Sequence, residues 1–162
     1  MNHLADEHTH RVYLKPGELF MSREPALVST VLGSCVSVTV FSPACRLGAI
    51  CHALLPSGSI AEGFRFVDST VDYMVDEINR MGVPLSGCQI KLFGGADVLL
   101  PSEQRGKRLS VGQQNIIAAH GRLERHGLTP SAVDVGGVHG RKLFFDSRTG
   151  HVYLKKMNKS RS

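Results

Sequence analysis

The stretch that most limits the fold is CVSVTVFSPACRLGAICHALLP, residues 35–56. Its first half alternates, with Val36, Val38 and Val40 on one face and Ser37 and Thr39 on the other, which is the period of a strand. Its second half, LGAICHALLP, is apolar without a break, and a strand of that kind is covered on both faces. Ser42-Pro43 makes the turn between them. If the two halves pair antiparallel around that turn, the pair lies inside a layered structure.

The flanking sequence supplies the other layers. HRVYLKPGELFMSR alternates and is broken by Pro16-Gly17, which predicts two short strands. ALVSTVL, residues 26–32, is β-branched and strand-like. DSTVDYMVDEINRMG is the clearest helix: Val71, Met74, Val75, Ile78 and Met81 share one face, Asp68 or Ser69 caps the start, and Gly82 and Pro84 end it. CQIKLFGGA returns to strand and stops at Gly94-Gly95. SVGQQNIIAAHGRLERHG predicts a second helix, capped by Ser110 and stopped by Gly127. The remainder reads as strands, the last two joined as a hairpin at DSRTG. Many strands, a helix, a strand, a helix and more strands predict an α/β chain of the α+β type. Its core is a layered, sandwich-like set of mixed strands with helices packed outside, not a doubly wound parallel sheet.

The 162 residues are the length of one domain and show neither repeat nor compositional break, so residues 1–162 are read as a single domain. Residues 1–10 and 156–162 are expected to be flexible tails. No apolar run approaches the roughly 20 residues of a membrane span. The polar start MNHLADEHTH does not look like a secretory leader, so a cytoplasmic location is expected. The net charge of +5 favours acidic partners. With few aromatics and no tryptophan for base stacking, nucleic acid is not expected among them.

Four cysteines, at positions 35, 45, 51 and 88, form no CxxC pair. In a reducing compartment they read as thiols, and Cys45, Cys51 and His52 lack the paired spacing that structural zinc favours. No metal or cofactor is expected. Cys35 differs from the other three because Gly33 and Ser34 precede it. A small-residue turn exposes a thiol, and its backbone N–H groups, near Ser34 to Val36, can face an oxyanion. His52, on the next strand, returns to the neighbourhood of Cys35 if the two halves pair, and is the natural base. The same residues also suit packing roles, since free cysteines are commonly buried and inert. Cys45, Cys51 and Cys88 read as packing thiols, and His120, His126, His139 and His151 as surface residues.

TVLGSCVSVTVFSP followed by LGAICHALLP resembles the CheD family of chemoreceptor glutamine deamidases. The likeness continues through KLFGGADVL, VGQQNI and DVGGVHGRKLFFDSRTGHV, in order along nearly the whole chain. It implies a fold similar to the catalytic domain of the cytotoxic necrotizing factor toxins. It also implies a cysteine hydrolase that converts receptor glutamines to glutamates through a thioester. On the matching positions Cys35 is the nucleophile and His52 the general base. The family's third member, a threonine shortly before the cysteine, aligns with Ser29, with Thr30 beside it as the alternative. Strand alternation lets only one of the two face His52.

The resemblance implies two partners: methyl-accepting chemotaxis receptors as substrate, and the CheC phosphatase, which binds near the catalytic face. Ser34, Lys91, Phe93, Gly94 and Gly95 are the candidates for substrate or partner contact. Lys91 and its neighbours also suit a bland role, with Phe93 in the core and the glycines ending a strand. Two rival readings use the same residues: a methylesterase or general amidase, and a non-catalytic adaptor that binds receptor and CheC.

Overall fold

The computed structural model describes residues 10–98 and 109–158. Its strands are β1 (His10–Tyr13), β2 (Leu19–Ser22), β3 (Ala26–Leu32), β4 (Val36–Ser42), β5 (Leu47–Cys51), β6 (Gln89–Gly94), β7 (Ala132–Val135), β8 (Arg141–Asp146) and β9 (Val152–Lys156). Two α-helices, α1 (Val67–Arg80) and α2 (Val111–Arg125), flank β6 in the chain. The strands form a four-stranded sheet, β1-β3-β8-β9, and a five-stranded sheet, β2-β5-β4-β6-β7. The α+β layered class read from the element order is the observed one.

Strand parity explains the layers. Val36, Val38 and Val40 of β4 and Leu47, Ala49 and Cys51 of β5 pack with Val71, Met74 and Ile78 of α1 and with Ala119 and Leu123 of α2. The opposite parity of the same sheet meets the four-stranded sheet: Ile50 packs with Val28 and Phe145, and Phe93 with Leu32 and Leu143. The order is therefore sheet, sheet, helices, with both helices on one side. Ser37 and Thr39, the polar positions of the alternation, face the second sheet and are buried. Alternation usually marks a strand with one wet face, but here the polar face is enclosed between sheets.

The strands on either side of Pro16-Gly17 enter different sheets: β1 pairs parallel with β3, and β2 pairs antiparallel with β5. Helix α1 starts at Val67 after Phe66, so the expected cap at Asp68 or Ser69 is displaced. Asp68 lies in the first turn, and its carboxylate accepts from the Gly58 and Ser69 amides. Gly82 (φ +76°) takes the chain out of α1. Met81 lies past the last turn and is exposed. Ser110 caps α2 in a reciprocal capping box with Gln113. Of the expected tails, residues 1–9 and 159–162 lie outside the described residues, whereas His10 opens β1 and Lys156 closes β9.

Candidate active site

The site forms where the β4–β5 ladder opens. The expected antiparallel pairing is present, from Ser42 opposite Leu47 to Thr39 opposite Ile50. An isolated bridge extends it to Val36 opposite Ala53, whose backbones exchange hydrogen bonds of 3.0 and 2.9 Å. This register sets Ser37 across from His52 and Cys35 across from Leu54. Cys35 and His52 are then diagonal neighbours on one face, a relation that spans roughly 7–8 Å between strand positions. That face lies between the two sheets.

His52 is buried, and its backbone is held on the far side by β2's approach: Gly17 N–H donates to His52 O at 2.8 Å, and His52 N–H donates to Glu18 O at 3.1 Å. Its ring is held by Thr30, whose Oγ1 is 2.7 Å from Nδ1. The same hydroxyl donates to Leu14 O at 2.8 Å. A threonine hydroxyl has one proton, and a carbonyl can only accept. With that proton on Leu14 O, Thr30 Oγ1 accepts from Nδ1–H. The imidazole is thereby the Nδ1-protonated tautomer, with Nε2 bare and able to take a proton.

Thr30 and Ser29 are separated by parity. Val28, Thr30 and Leu32 of β3 face the five-stranded sheet, where Val28 and Leu32 join the buried clusters. Ser29 points to the other side of its sheet. The alignment-favoured Ser29 is therefore not the residue brought to His52; the alternative, Thr30, is.

The turn before Cys35 is pinned through its carbonyls. Gly33 O accepts from Ala96 N–H at 3.0 Å, and Cys35 O accepts from Gly95 N–H at 2.8 Å. Ser34 O accepts from Asn115 Nδ2 at 2.9 Å. Since a trans peptide points its C=O and N–H in opposite directions, the Cys35 N–H faces away from Asn115. Among the described residues neither the Ser34 nor the Cys35 amide donates to a backbone carbonyl, and the Cys35 N–H lies against its own thiol. The Val36 amide donates to Ala53 O, so it drops out of the expected oxyanion group and the Ser34 and Cys35 amides remain.

Cys35 opens on a cavity of about 320 Å³. Ser34, Leu54 and Leu55 form one side of it, and Ala96, Val98, Val111 and Gly112 the other. Asp97 and Ser110, hydrogen-bonded to each other, stand at the same cavity. The mostly apolar wall suits the methylene stem of an uncharged side chain. Burial raises the Cys35 thiol above its ordinary value, partly offset by its own backbone N–H. Burial also pushes His52 down to about 4. At neutral pH the pair is a thiol beside a neutral imidazole, and attack requires proton transfer to Nε2 as it occurs.

Of the other candidates, Ser34 lines the cavity, but Phe93 is core between the sheets. Lys91 Nζ donates to Gly150 O at 3.0 Å on the hairpin turn. Gly94 and Gly95 have φ of +109° and +72°. A Cβ on Gly94 would lie 2.2 Å from Cys35 O. Phe93 thus belongs to the core, Gly94 and Gly95 lie against the Cys35 turn, and Lys91 is tied to the hairpin turn. Cys51 is buried in the helix-facing core, with its thiol pushed up to about 11, and Cys45 and Cys88 pack at the edge of that core. His120, His139 and His151 are exposed, while half-buried His126 bonds Asp72 at 2.7 Å. The cavity residues on α2, and Asn115, carried no recognisable catalytic spacing; VGQQNI was their only trace in the sequence.

The family model described as CheD chemotactic sensory transduction matches residues 54–156. That span begins just after His52. Curated relatives extend the match across both residues: "Probable chemoreceptor glutamine deamidase CheD 2" of Geobacter sulfurreducens is 47% identical over 149 residues, 92% of this chain and 91% of the relative. "Probable chemoreceptor glutamine deamidase CheD" of Maridesulfovibrio salexigens is 42% identical, covering 92% of this chain and 93% of the relative. Among solved structures, YlmD from Geobacillus stearothermophilus superposes with a TM-score of 0.49 at 16% identity, over 73% of this chain and 49% of that one. With this extent of identity along almost its full length, the chain belongs to the CheD family.

Proposed function

We propose that this protein is a chemoreceptor glutamine deamidase, and that Cys35, His52 and Thr30 are its nucleophile, base and base-orienting hydroxyl. The observation that carries the reading is the Thr30–His52 contact, which leaves Nε2 bare on the face shared with Cys35. Cys35 Sγ attacks the carboxamide carbon of a substrate glutamine, and its proton passes to His52 Nε2. The oxyanion is met by the Cys35 amide, with the Ser34 amide beside it. The C–N bond breaks, and the imidazolium returns the proton to the leaving nitrogen, releasing ammonia. Water attacks the thioester as His52 takes its proton. The C–S bond breaks, the thiol is reprotonated, and the product is a glutamate carboxylate.

Each conversion adds one negative charge to a receptor helix. Like charges a turn apart repel by a few tenths of a kcal/mol, so several conversions bias a two-state receptor. The net charge of +5 favours a Glu- and Gln-rich substrate surface. Methyl-accepting receptors are the substrates in this reading, CheC is a competing partner at the catalytic face, and the enzyme works in the cytoplasm. Among the described residues no helix is long and apolar enough to cross a membrane.

Mass spectrometry of receptor fragments incubated with the protein tests the reading. Each deamidated glutamine gains about one dalton, as exchange of ammonia for water requires. Glutamyl methyl esters in parallel fragments separate this activity from an esterase. An unchanged glutamine fragment in the presence of an alkylatable Cys35 would favour the adaptor reading.

A further inference from the structure

Asn115 lies in α2, behind the site, and its side chain is buried. Its Nδ2 donates to Ser34 O at 2.9 Å and to Leu54 O at 2.9 Å. Ser34 immediately precedes Cys35, and Leu54 follows His52 by two residues. Both protons of one NH2 group are thus used, one on each of the two chain segments that carry the catalytic pair.

The position of this contact explains why a side chain is needed there. Beyond Val36 opposite Ala53, the next rung of an antiparallel ladder would join Ser34 to Leu55. That rung is absent: Leu55 N–H donates to Arg65 O instead, and Leu55 O accepts from Val67 N–H. The strands part here, and the cavity holding Cys35 opens between Ser34 and Leu55. Parting takes the Leu55 amide away from the Ser34 carbonyl, and the Leu54 carbonyl, at a rung position that does not bond to β4, needs a donor of its own; buried carbonyls are nearly always paired. A carboxamide nitrogen satisfies both at once. Carboxylate, hydroxyl and alkyl side chains of similar size cannot offer two donors from one atom. The two carbonyl partners also fix which end of the amide is nitrogen. Asn115 Oδ1 is buried with no described partner, so the group is held entirely through its NH2.

The helix that carries Asn115 is itself pressed against the Cys35 turn. A Cβ on Gly112 would lie 2.5 Å from Gly95 O and 2.6 Å from Ala96 O. Those two residues are the ones whose amides hold Cys35 O and Gly33 O. The Cys35 turn is therefore clamped from one side by the loop after β6 and from the other by Asn115.

We infer that Asn115 is a positioning residue for the Cys35–His52 pair. It acts through the two peptides it binds: it aims the Cys35 amide into the cavity and keeps the end of β5 at a set distance from the Cys35 turn. Its contribution is geometric. Loss of the staple lets the two segments separate at the point where the ladder is already open, so substrate still enters but the thiol, imidazole and amide no longer converge.

The inference rests on the deamidase reading, and the test reports on the two separately. Asn115→Leu keeps size and removes both donors; Asn115→Ala leaves room for a water to reach the two carbonyls. Leu123→Ala, also in α2 but away from the site, matches the loss of thermal stability without touching the staple. The full-length protein is assayed for kcat and KM on a glutamine-containing receptor fragment. Site-resolved alkylation of Cys35 by iodoacetamide is measured across pH in the same variants. Both Asn115 variants are expected to lose about 10- to 100-fold in kcat, the scale of a small misplacement of reacting groups, with KM within about twofold. Their Cys35 alkylation profile shifts along the pH axis, because the burial of the thiol and the aim of the Cys35 N–H against it both depend on the turn that Asn115 holds. Leu123→Ala keeps wild-type kcat and profile. A folded Asn115 variant with wild-type kcat and profile overturns the inference, as does the same kcat loss in Leu123→Ala. If the wild type itself does not turn over, the deamidase reading fails, and an unshifted alkylation profile in a folded Asn115 variant still refutes the staple.

Discussion

Replacing Thr30 by Val removes one oxygen and keeps the β-branched shape that suits β3. That oxygen makes two buried contacts, at 2.7 Å to His52 Nδ1 and 2.8 Å to Leu14 O. Each neutral hydrogen bond contributes about 1 kcal/mol net, and a stranded buried partner raises the cost to roughly 1–3 kcal/mol. Two stranded partners predict a loss of about 2–6 kcal/mol in stability. The kinetic loss has a different source. Without an acceptor at Nδ1, the tautomer with a bare Nε2 loses about 1 kcal/mol or more of its advantage, and the ring loses its tether. A fall of roughly 10- to 100-fold in kcat follows, smaller than deleting the base itself, which costs about 10²–10⁴-fold. The assay is the rate of ammonia release from one glutamine-containing receptor fragment, with thermal unfolding of each variant measured alongside. Thr30→Ser, which retains the hydroxyl, should recover most of the rate. Ser29→Ala, on the opposite face of β3, should stay within about 0.5 kcal/mol in stability and near wild type in rate. A fully active Thr30→Val, or a crippled Ser29→Ala beside it, would refute the assignment of Nδ1 to Thr30.

Cys35→Ala should abolish turnover and shift the unfolding midpoint by only a few degrees, because the half-buried thiol leaves a small void; residual turnover in a clean preparation sinks the thioester route. His52→Ala should lose most of the rate while still binding substrate, read as a drop in kcat with KM little changed. Because His52 is held down to about 4, activity should persist well below pH 6 and its acid limb should fall only near pH 4; an acid limb at the ordinary histidine value would contradict a buried neutral imidazole. The sign for stability follows: between its ordinary value of about 6.5 and 4 the unfolded chain binds this proton more readily. The contribution of His52 is thus complete above about pH 6.5 and is lost as pH falls through that window, as paired denaturation curves of wild type and His52→Gln would register. Gly94→Ala forces a side chain into φ +109° and onto Cys35 O, and should lower both the unfolding midpoint and the rate of Cys35 alkylation.

Particular residues mark how far sequence reasoning reaches. The start of the run LGAICHALLP is a strand enclosed on both faces, Leu47–Cys51, as its unbroken apolar character predicts, while Leu54 and Leu55 beyond it line the cavity. The caps of α2 are legible because Ser110 and Gln113 interact locally, within one turn. Asp68 misleads for a local reason as well: it lies in the first turn, where its carboxylate is useful without being the cap.

Cys35 and His52 stand out from their neighbours in the sequence, since a thiol after Gly33-Ser34 and an imidazole in an apolar run are both unusual enough to pair by hypothesis. The turn between β4 and β5 is short, and the register that joins them follows from period-two patterning. What acts on the pair from farther away was not readable. Whether Ser29 or Thr30 meets His52 depends on which face of β3 turns inward, and Ser29 and Thr30 are too alike for hydrophobic patterning to tell. Packing of Val28 and Leu32 against the second sheet decides it. Asn115 lies 81 positions from Ser34 and 61 from Leu54, and no local rule connects an asparagine on a helix to two carbonyls on separate strands. Secondary structure and the identity of the reacting groups are properties of neighbours in the chain and so are written in the sequence. The orientation of those groups comes from contacts between layers, and only the packed tertiary structure brings those layers together.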